Sequence, residues 1–445
     1  MSAFSEYLNC IKDQRRLNGA EMARICGVNA AVVFKWLKGE HLPKSWMIME
    51  ELGDSLHLTM QEKKQLQSAY ERTVLGEEKY NSYQKIIDLL KKLQERGREC
   101  REQYHNDYIK VHIKELPEFV ELHSRMQIMQ SIQDALIYLS TKEDRKLYLK
   151  VTPFHEDVIL LLRMFLNRMD SCALEEIVCF RKKEYEALCY NLELVNGLVD
   201  LFTARHPSKI YVQDATGTPD GIFDNWVIAD DFLIEFADDF SCGMLTSDPV
   251  WIAYFRSVYE NMKSSGRCLS SRYVAACRVQ GMESEEVPEF TGCITYMPCA
   301  EKDGSLQMTG VFFYLEGLVE FLETGKCPAD TEGSVLDKES RLRVVYRMAY
   351  SCRSNMTGHM IREGRLPVLR DLCIECQEWE EGCLSIEIRF GGDRKERIYL
   401  YDDYIRKEIV KFFRFLGDSA YVYSHGETVD KIMEVAENYR RKWRL

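Results

Sequence analysis

The sequence predicts a multi-domain α plus α/β protein: an all-α N-terminal domain, a helical middle segment, and a C-terminal α/β region with a mixed sheet. Three observations predict it. At 445 residues the chain is long enough for about two to four domains. No proline lies between Pro43 and Pro117, and that stretch is rich in Leu, Lys, Glu and Gln, which favour helix. From about Arg145 the apolar period turns from helical to alternating, and strand-like segments then alternate with helix-like ones.

Composition narrows the class. Hydrophobic residues make up 46% and charged residues 29%, which excludes collagen-like, low-complexity and wholly disordered chains. No apolar run reaches the roughly 18 residues a membrane helix needs. The opening MSAFSEYLNCIKDQRR has neither the apolar core nor the cleavage site of a signal peptide, so a cytoplasmic location is expected. Sixteen cysteines then read as reduced thiols. The net charge of −12 excludes a protein that coats nucleic acid over its whole surface. Residues 1–75 hold ten Lys/Arg and nine Asp/Glu, whereas the remainder holds 49 and 62. On this balance only the N-terminal segment is electrostatically permitted to approach a phosphate backbone closely.

Taken in order, short apolar helices fill residues 1–75, and an amphipathic run follows from about Glu77 to Gln103. Ile86, Ile87, Leu89, Leu90 and Leu93 lie on one side of it, and Lys85, Lys91, Lys92 and Glu95 on the other. Such a helix either packs on its own domain or dimerises. Lys146–Val151 alternates like a strand. His155–Met169 is a helix after Pro153, Leu174–Phe180 a strand, Glu184–Ala204 a helix, and Lys209–Gln213 a third strand. Trp226–Phe236 reads as a strand pair or a bent strand, and Asp248-Pro249 caps a helix to about Met262. Arg278–Thr309 is loop-like in composition, a surface loop or a seam between halves. Leu384–Phe390 and Glu396–Tyr401 flank Gly391-Gly392-Asp393 as a hairpin. Tyr404–Leu416 is a helix, Ala420–Tyr423 a short strand, and Glu427–Lys442 the final helix. The expected domains are 1–75, a linking or dimerising segment 76–140, and two α/β halves, 141–275 and 276–445. Trp226–Met262 and Arg397–Tyr439 share a strand ending in paired aspartates and then a late helix, which suggests either a duplication or chance similarity.

Residues 17–43 read LNGAEMARICGVNAAVVFKWLKGEHLP and carry the strongest motif. Ala20, Met22, Ala23 and Ile25 form the apolar face of one helix. Gly27 sits where the following turn needs a positive φ, and Val28 plugs that turn into the core. Asn29 caps a second helix, Ala30–Lys38, which points Val33 and Trp36 inward and ends at Gly39. This is the geometry of a helix-turn-helix, whose second helix enters a major groove.

The segment resembles the Xre-type, phage-repressor-like helix-turn-helix of bacterial transcription regulators. The match falls on Asn29, Trp36, Gly39 and Pro43, with Glu21, Met22 and Ala23 in place of the family's Glu-Leu-Ala. The resemblance covers residues 1–75 and implies a five-helix domain closed by Trp46–Leu58 and Thr59–Tyr70. It also implies double-stranded DNA as partner, commonly bound by a homodimer. The residues that would face DNA are Asn29, Ala30, Ala31, Val32, Phe34, Lys35, Lys38, His41 and Lys44. Two departures stand out. Gly19 replaces the family's frequent phosphate-binding Gln, and Leu37 replaces an acidic residue. Ala30, Ala31 and Val32 cannot make bidentate hydrogen bonds to bases, though they can touch thymine methyls. A domain kept for protein interaction is therefore the other reading of the motif.

Weaker constellations follow. HPSKIYVQD at 206–214 resembles a phospholipase D-like half-site, His-x-Lys-x4-Asp. Lys209 and Asp214 have the right spacing, and His206 stands one residue too far. Those enzymes need two histidines, and no second copy is visible, since Ser424-His425-Gly426 lacks the lysine. The resemblance thus implies at most a degenerate ligand- or partner-binding site at His206, Lys209 and Asp214, and an ordinary loop histidine is the alternative. Cys373, Cys376 and Cys383 fit a zinc site, a redox pair or buried apolar thiols, and the first two would share a helix face. Asp230-Asp231 and Asp238-Asp239 offer carboxylates for a divalent cation or a solvated edge. No phosphate loop, dinucleotide fingerprint, zincin motif or nucleophile elbow is present.

The expected protein is a sequence-specific DNA-binding transcriptional regulator, not an enzyme, with no cofactor or membrane partner. Its C-terminal region would sense a small-molecule or protein effector, or oligomerise. The alternatives are a scaffold with a degenerate helix-turn-helix and a phospholipase D-like phosphodiesterase.

Overall fold

The computed structural model describes residues 2–99, 113, 115–143, 145–169, 172–181, 185–202, 208–214, 223–273, 293–297, 310–325, 336–355, 358–363, 366, 372–378, 383–390 and 395–445. Two compact units form. The first is Met1–Gln84 with Asp418–Val422, and the second is Lys85–Gly417 with Tyr423–Leu445.

The first unit holds α1 (Ala3–Gln14), α2 (Gly19–Ile25), α3 (Ala30–Lys38), α4 (Trp46–Ser55) and α5 (Met60–Leu75). Local chemistry sets the ends. Ser2, Asn18 and Thr59 each accept from the third helical amide, whose own side chain accepts in return. Ser45 caps α4. One core unites the five helices: Phe4 and Leu8 of α1, Met22 of α2, Val33 and Trp36 of α3, Leu52 of α4 and Leu66 of α5 are all buried. A helix α6 (Glu77–Glu99) follows, and the units divide within it.

The second unit continues with β1 (Phe119–Leu122), α7 (Arg125–Ser140), β2 (Lys146–Lys150), α8 (Glu156–Arg168), β3 (Ala173–Phe180), α9 (Tyr185–Phe202) and β4 (Ser208–Asp214). Next come β5 (Asn225–Ile228), β6 (Leu233–Phe236), β7 (Gly243–Thr246), α10 (Pro249–Ser265), β8 (Arg267–Tyr273), β9 (Cys293–Met297) and β10 (Gly310–Phe313). The chain closes with α11 (Leu315–Thr324), α12 (Lys338–Asn355), β11 (Gly358–Met360), β12 (Leu372–Glu378), β13 (Leu384–Phe390), β14 (Lys395–Leu400), α13 (Asp403–Gly417) and α14 (His425–Trp443).

The described strands make one mixed 14-stranded sheet, ordered β1-β7-β6-β5-β2-β3-β4-β8-β14-β13-β12-β9-β10-β11. β2, β3 and β4 run parallel, as do the pairs β9–β12 and β10–β11. The other neighbours are antiparallel. α10 covers Ile177, Trp226, Ile228 and Leu233 on one face. At the far end α11, α12 and α14 bury Leu318, Val345, Met348 and Ile432 with Val311 and Phe313 of β10. The chain is thus an α domain joined to an α/β unit, as its patterning predicts.

Some local expectations differ. Residues 119–140, read as part of a linking segment, supply the edge strand β1 and the helix α7 of the sheet unit. The apolar side of α6 is buried at Ile86, Leu89, Leu90 and Leu93. Its polar side meets α9: Lys85 Nζ lies 2.9 Å from Glu193 and Lys92 Nζ 3.1 Å from Asp200. Cys293–Met297, inside the loop-like stretch, is an interior strand, because its neighbours β12 and β10 satisfy both edges. Ala420–Tyr423 is a turn with one bridge instead of a strand. The paired aspartates are not equivalent. Asp230 and Asp231 sit in the β5–β6 turn, whereas Asp402 caps α13 by accepting from Tyr404 and Ile405 at 3.1 and 3.0 Å. The turn Gly391–Asp393 lies outside the described residues.

Candidate nucleic-acid interface

The candidate interface is built on α3, and the surrounding helices fix it. Asn29 Oδ1 accepts from the Ala31 amide at 2.8 Å, so this residue, expected to face DNA, spends its acceptor on the helix start. At the other end Gly39 turns left-handed, and the Leu37 carbonyl accepts from Asn9 Nδ2 of α1 at 2.8 Å. That bond answers one of the carbonyls a helix leaves open. The loop to α4 is held where Tyr70 Oη donates to the Pro43 carbonyl at 3.1 Å. Nothing in the local sequence marks Asn9 or Tyr70 for these tasks, because both act across long separations.

Gly27 adopts φ 63° in the turn between α2 and α3, and no atom stands within 4 Å of where its Cβ would be. Its need for glycine is therefore purely conformational. Gly27→Ala is expected to cost about 1 kcal/mol of unit stability, read as a shift in the urea midpoint of helix loss.

Burial sorts the expected contact residues. Val33, Trp36 and Leu37 are in the core, and Ala30 packs partly against it. Ala31, Lys35 and Lys38, spaced four and three apart, form the outward stripe of α3. Val32 and Phe34 flank it at 38% and 47% exposure. His41 and Lys44 are exposed in the following loop, and Asn29 is exposed at the helix start. Lys38 Nζ lies 3.9 Å from Glu40, an exposed pair that solvent screens. The stripe thus offers one small methyl followed by two long cations, on a helix whose width suits a major groove of about 12 Å.

Both departures from the family pattern have a physical setting. A Cβ on Gly19 would fall 2.8 Å from the Phe34 ring, so Phe34 occupies the space a larger residue would need. Leu37, in the family's acidic place, is buried against the core. At the start of α2, Asn18 and Glu21 close a capping box with both bonds at 2.9 Å. The Glu21 carboxylate therefore stands where a phosphate would meet the helix amides. Phe34 also lines a cleft of about 920 Å³ with Leu17, Leu37, Glu6 and Asp13. Lys12 and Lys38 line the same cleft, and Lys12 Nζ lies 3.2 Å from Asp13, so its rim carries both signs of charge.

The remaining candidates separate. Lys209 is exposed on β4 and Asp214 ends that strand, while His206 lies outside the described residues. Cys373 and Cys376 lie on β12, where a spacing of three puts positions on opposite faces, not on one helix face. Cys352, Cys376 and Cys383 are buried, and burial pushes the Cys352 thiol up to about 11. Among the described residues no group of three or more His, Cys, Asp or Glu could hold a metal ion. Asp230 pairs with Arg256, Asp231 with Lys142 at 3.1 Å, and Asp238 with His155 at 2.9 Å, so these carboxylates serve separate contacts. Among the described residues no helix is long and apolar enough to cross a membrane.

No family model matches the chain, and no curated protein does. Nine solved chains match, among them TrmBL2, described as an archaeal chromatin protein with a novel mode of DNA binding. That similarity has 10% identity and a TM-score of 0.25, over 57% of this chain and 88% of the other. A likeness at that level carries no argument about function.

Proposed function

We propose that the protein is a sequence-specific DNA-binding transcriptional regulator whose first unit docks α3 in a major groove. The observation that carries this reading is the outward stripe Ala31, Lys35 and Lys38 on a helix anchored by Val33, Trp36 and Leu37. The Xre-type resemblance of residues 1–75 supports the same reading. Lys35 and Lys38 supply phosphate contacts, and Ala31 with Val32 reads thymine methyls. Base readout from one such helix is thin, so a homodimer on two half-sites is part of the proposal. The α/β unit would sense an effector that changes how well the half-sites fit.

The test is a pull-down of sheared genomic DNA by the full chain, sequenced for enrichment, beside a Lys35→Ala/Lys38→Ala variant. Discrete sites are expected. On such a site the variant should lower the slope of log affinity against log salt by about 2, since each phosphate contact contributes about 0.9. Absence of any enriched site in folded protein would sink the proposal. The cleft at Phe34, where this aromatic is half exposed beside a rim of mixed charge, favours one second reading: a surface for a protein segment. In that case the Lys variant behaves as wild type and Phe34→Ala does not.

A further inference from the structure

The far end of the sheet unit carries a charged surface that average composition conceals. α12 has five basic residues, Lys338, Arg341, Arg343, Arg347 and Arg353, against the single acid Glu339. Arg341 is structural. It is buried, and its guanidinium donates to the carbonyls of Leu322, Glu323 and Leu336 at 2.7–2.8 Å, closing the end of α11. Arg343, Arg347 and Arg353 are exposed and share one helical stripe with Tyr350, which is 73% exposed. Glu339 answers Arg343 at 3.1 Å, both side chains being well solvated. Among the described residues no carboxylate pairs with Arg347 or Arg353.

A solvated helix face ordinarily mixes signs. This one is cationic on a chain of net charge −12, and it presents a large aromatic between its arginines. We infer that the α12 stripe is a second contact surface for duplex DNA, binding the phosphate backbone without regard to sequence. At 1.5 Å rise per residue the three arginines span about 15 Å, along which a duplex presents about nine phosphates. Guanidinium forks match phosphate oxygens in a way lysines do not. A membrane is a poor fit, because the apolar face of α12 (Leu342, Val345, Met348 and Cys352) is already buried in the core and has nothing left to insert. The inference goes beyond the reading of α3 and does not depend on it.

The test uses the full chain and a labelled duplex of arbitrary sequence, titrated across salt. Arg347→Gln/Arg353→Gln touches only exposed side chains. It should lower the salt slope by about 2 and weaken low-salt affinity roughly tenfold or more. Glu339→Gln should tighten binding, a gain that misfolding cannot imitate. Lys35→Ala/Lys38→Ala should remove the α3 share of the slope yet keep the α12 share. An unchanged slope in the Arg variant overturns the inference, as does wild-type protein that binds no duplex. Equal loss of binding to polyglutamate also overturns it, since that outcome marks an acidic protein as the partner. Failure of the α3 reading shows separately, as wild-type protein without site preference.

Discussion

Replacing Asp200 by alanine is expected to destabilise the sheet unit by about 3 kcal/mol, because it breaks a buried ion pair. Asp200 lies on α9 with 8% of its side chain exposed. One carboxylate oxygen meets Arg163 of α8 at 3.2 Å, and the other meets Lys92 of α6 at 3.1 Å. The Arg163 side chain is 2% exposed, so water does not take the place of the lost carboxylate. Three helices converge on this one carboxylate, and its loss should loosen all of them together. Urea unfolding of the full chain gives the size of the effect, and hydrogen exchange in α6, α8 and α9 gives its place. An Asp200→Leu/Arg163→Met pair removes both charges and should recover most of the loss. If the pair proves as unstable as Asp200→Ala, the deficit belongs to packing and not to the broken ion pair.

Arg163 and Asp200 also show why parts of the fold were not legible in the sequence. Their pairing spans 37 residues and has no local signature. The helix-turn-helix, by contrast, is written within residues 17–43, where cap, turn glycine and buried tryptophan act over a few positions. Strand–helix alternation gave β2 to β4 and α8 to α10 because each strand lies between Gly, Pro or charged punctuation. Cys293–Met297 was hidden because its strand character comes from partners far along the chain, β12 and β10. Cys373 and Cys376 misled because a spacing of three fits a helix face as readily as a motif. The site was legible at Lys35 and Lys38, whose exposure follows from period alone. The double role of Phe34, filling the space at Gly19 and lining a cleft, needed the α1–α2–α3 crossing. The charge count misled in another way. Summed over all residues beyond 75 it is acidic, and the sum concealed that α12 is basic.

The sheet unit should lose stability as pH rises, and Glu176 should account for much of that loss. Glu176 stands on β3 and is wholly buried. Burial pushes its carboxyl up to about 8, against a smaller downward pull from the Val151 backbone. An unfolded glutamate titrates near 4.5. Between these values the folded chain holds a proton that the unfolded chain has released. Stability is therefore greatest below the unfolded value and falls as pH rises through 8, by about 4–5 kcal/mol at the alkaline limit. Glu235 on β6 acts in the same sense, pushed by burial up to about 7 and pulled down by nearby Lys150. Glu176→Gln mimics the protonated acid at every pH. Near pH 4 the variant and the wild type should have equal urea midpoints, and the gap should then widen in favour of the variant as pH rises. Parallel midpoint curves would show that Glu176 keeps an ordinary acidity through some route to water. The difference between the two proteins isolates this carboxyl, because every other titrating group is common to both.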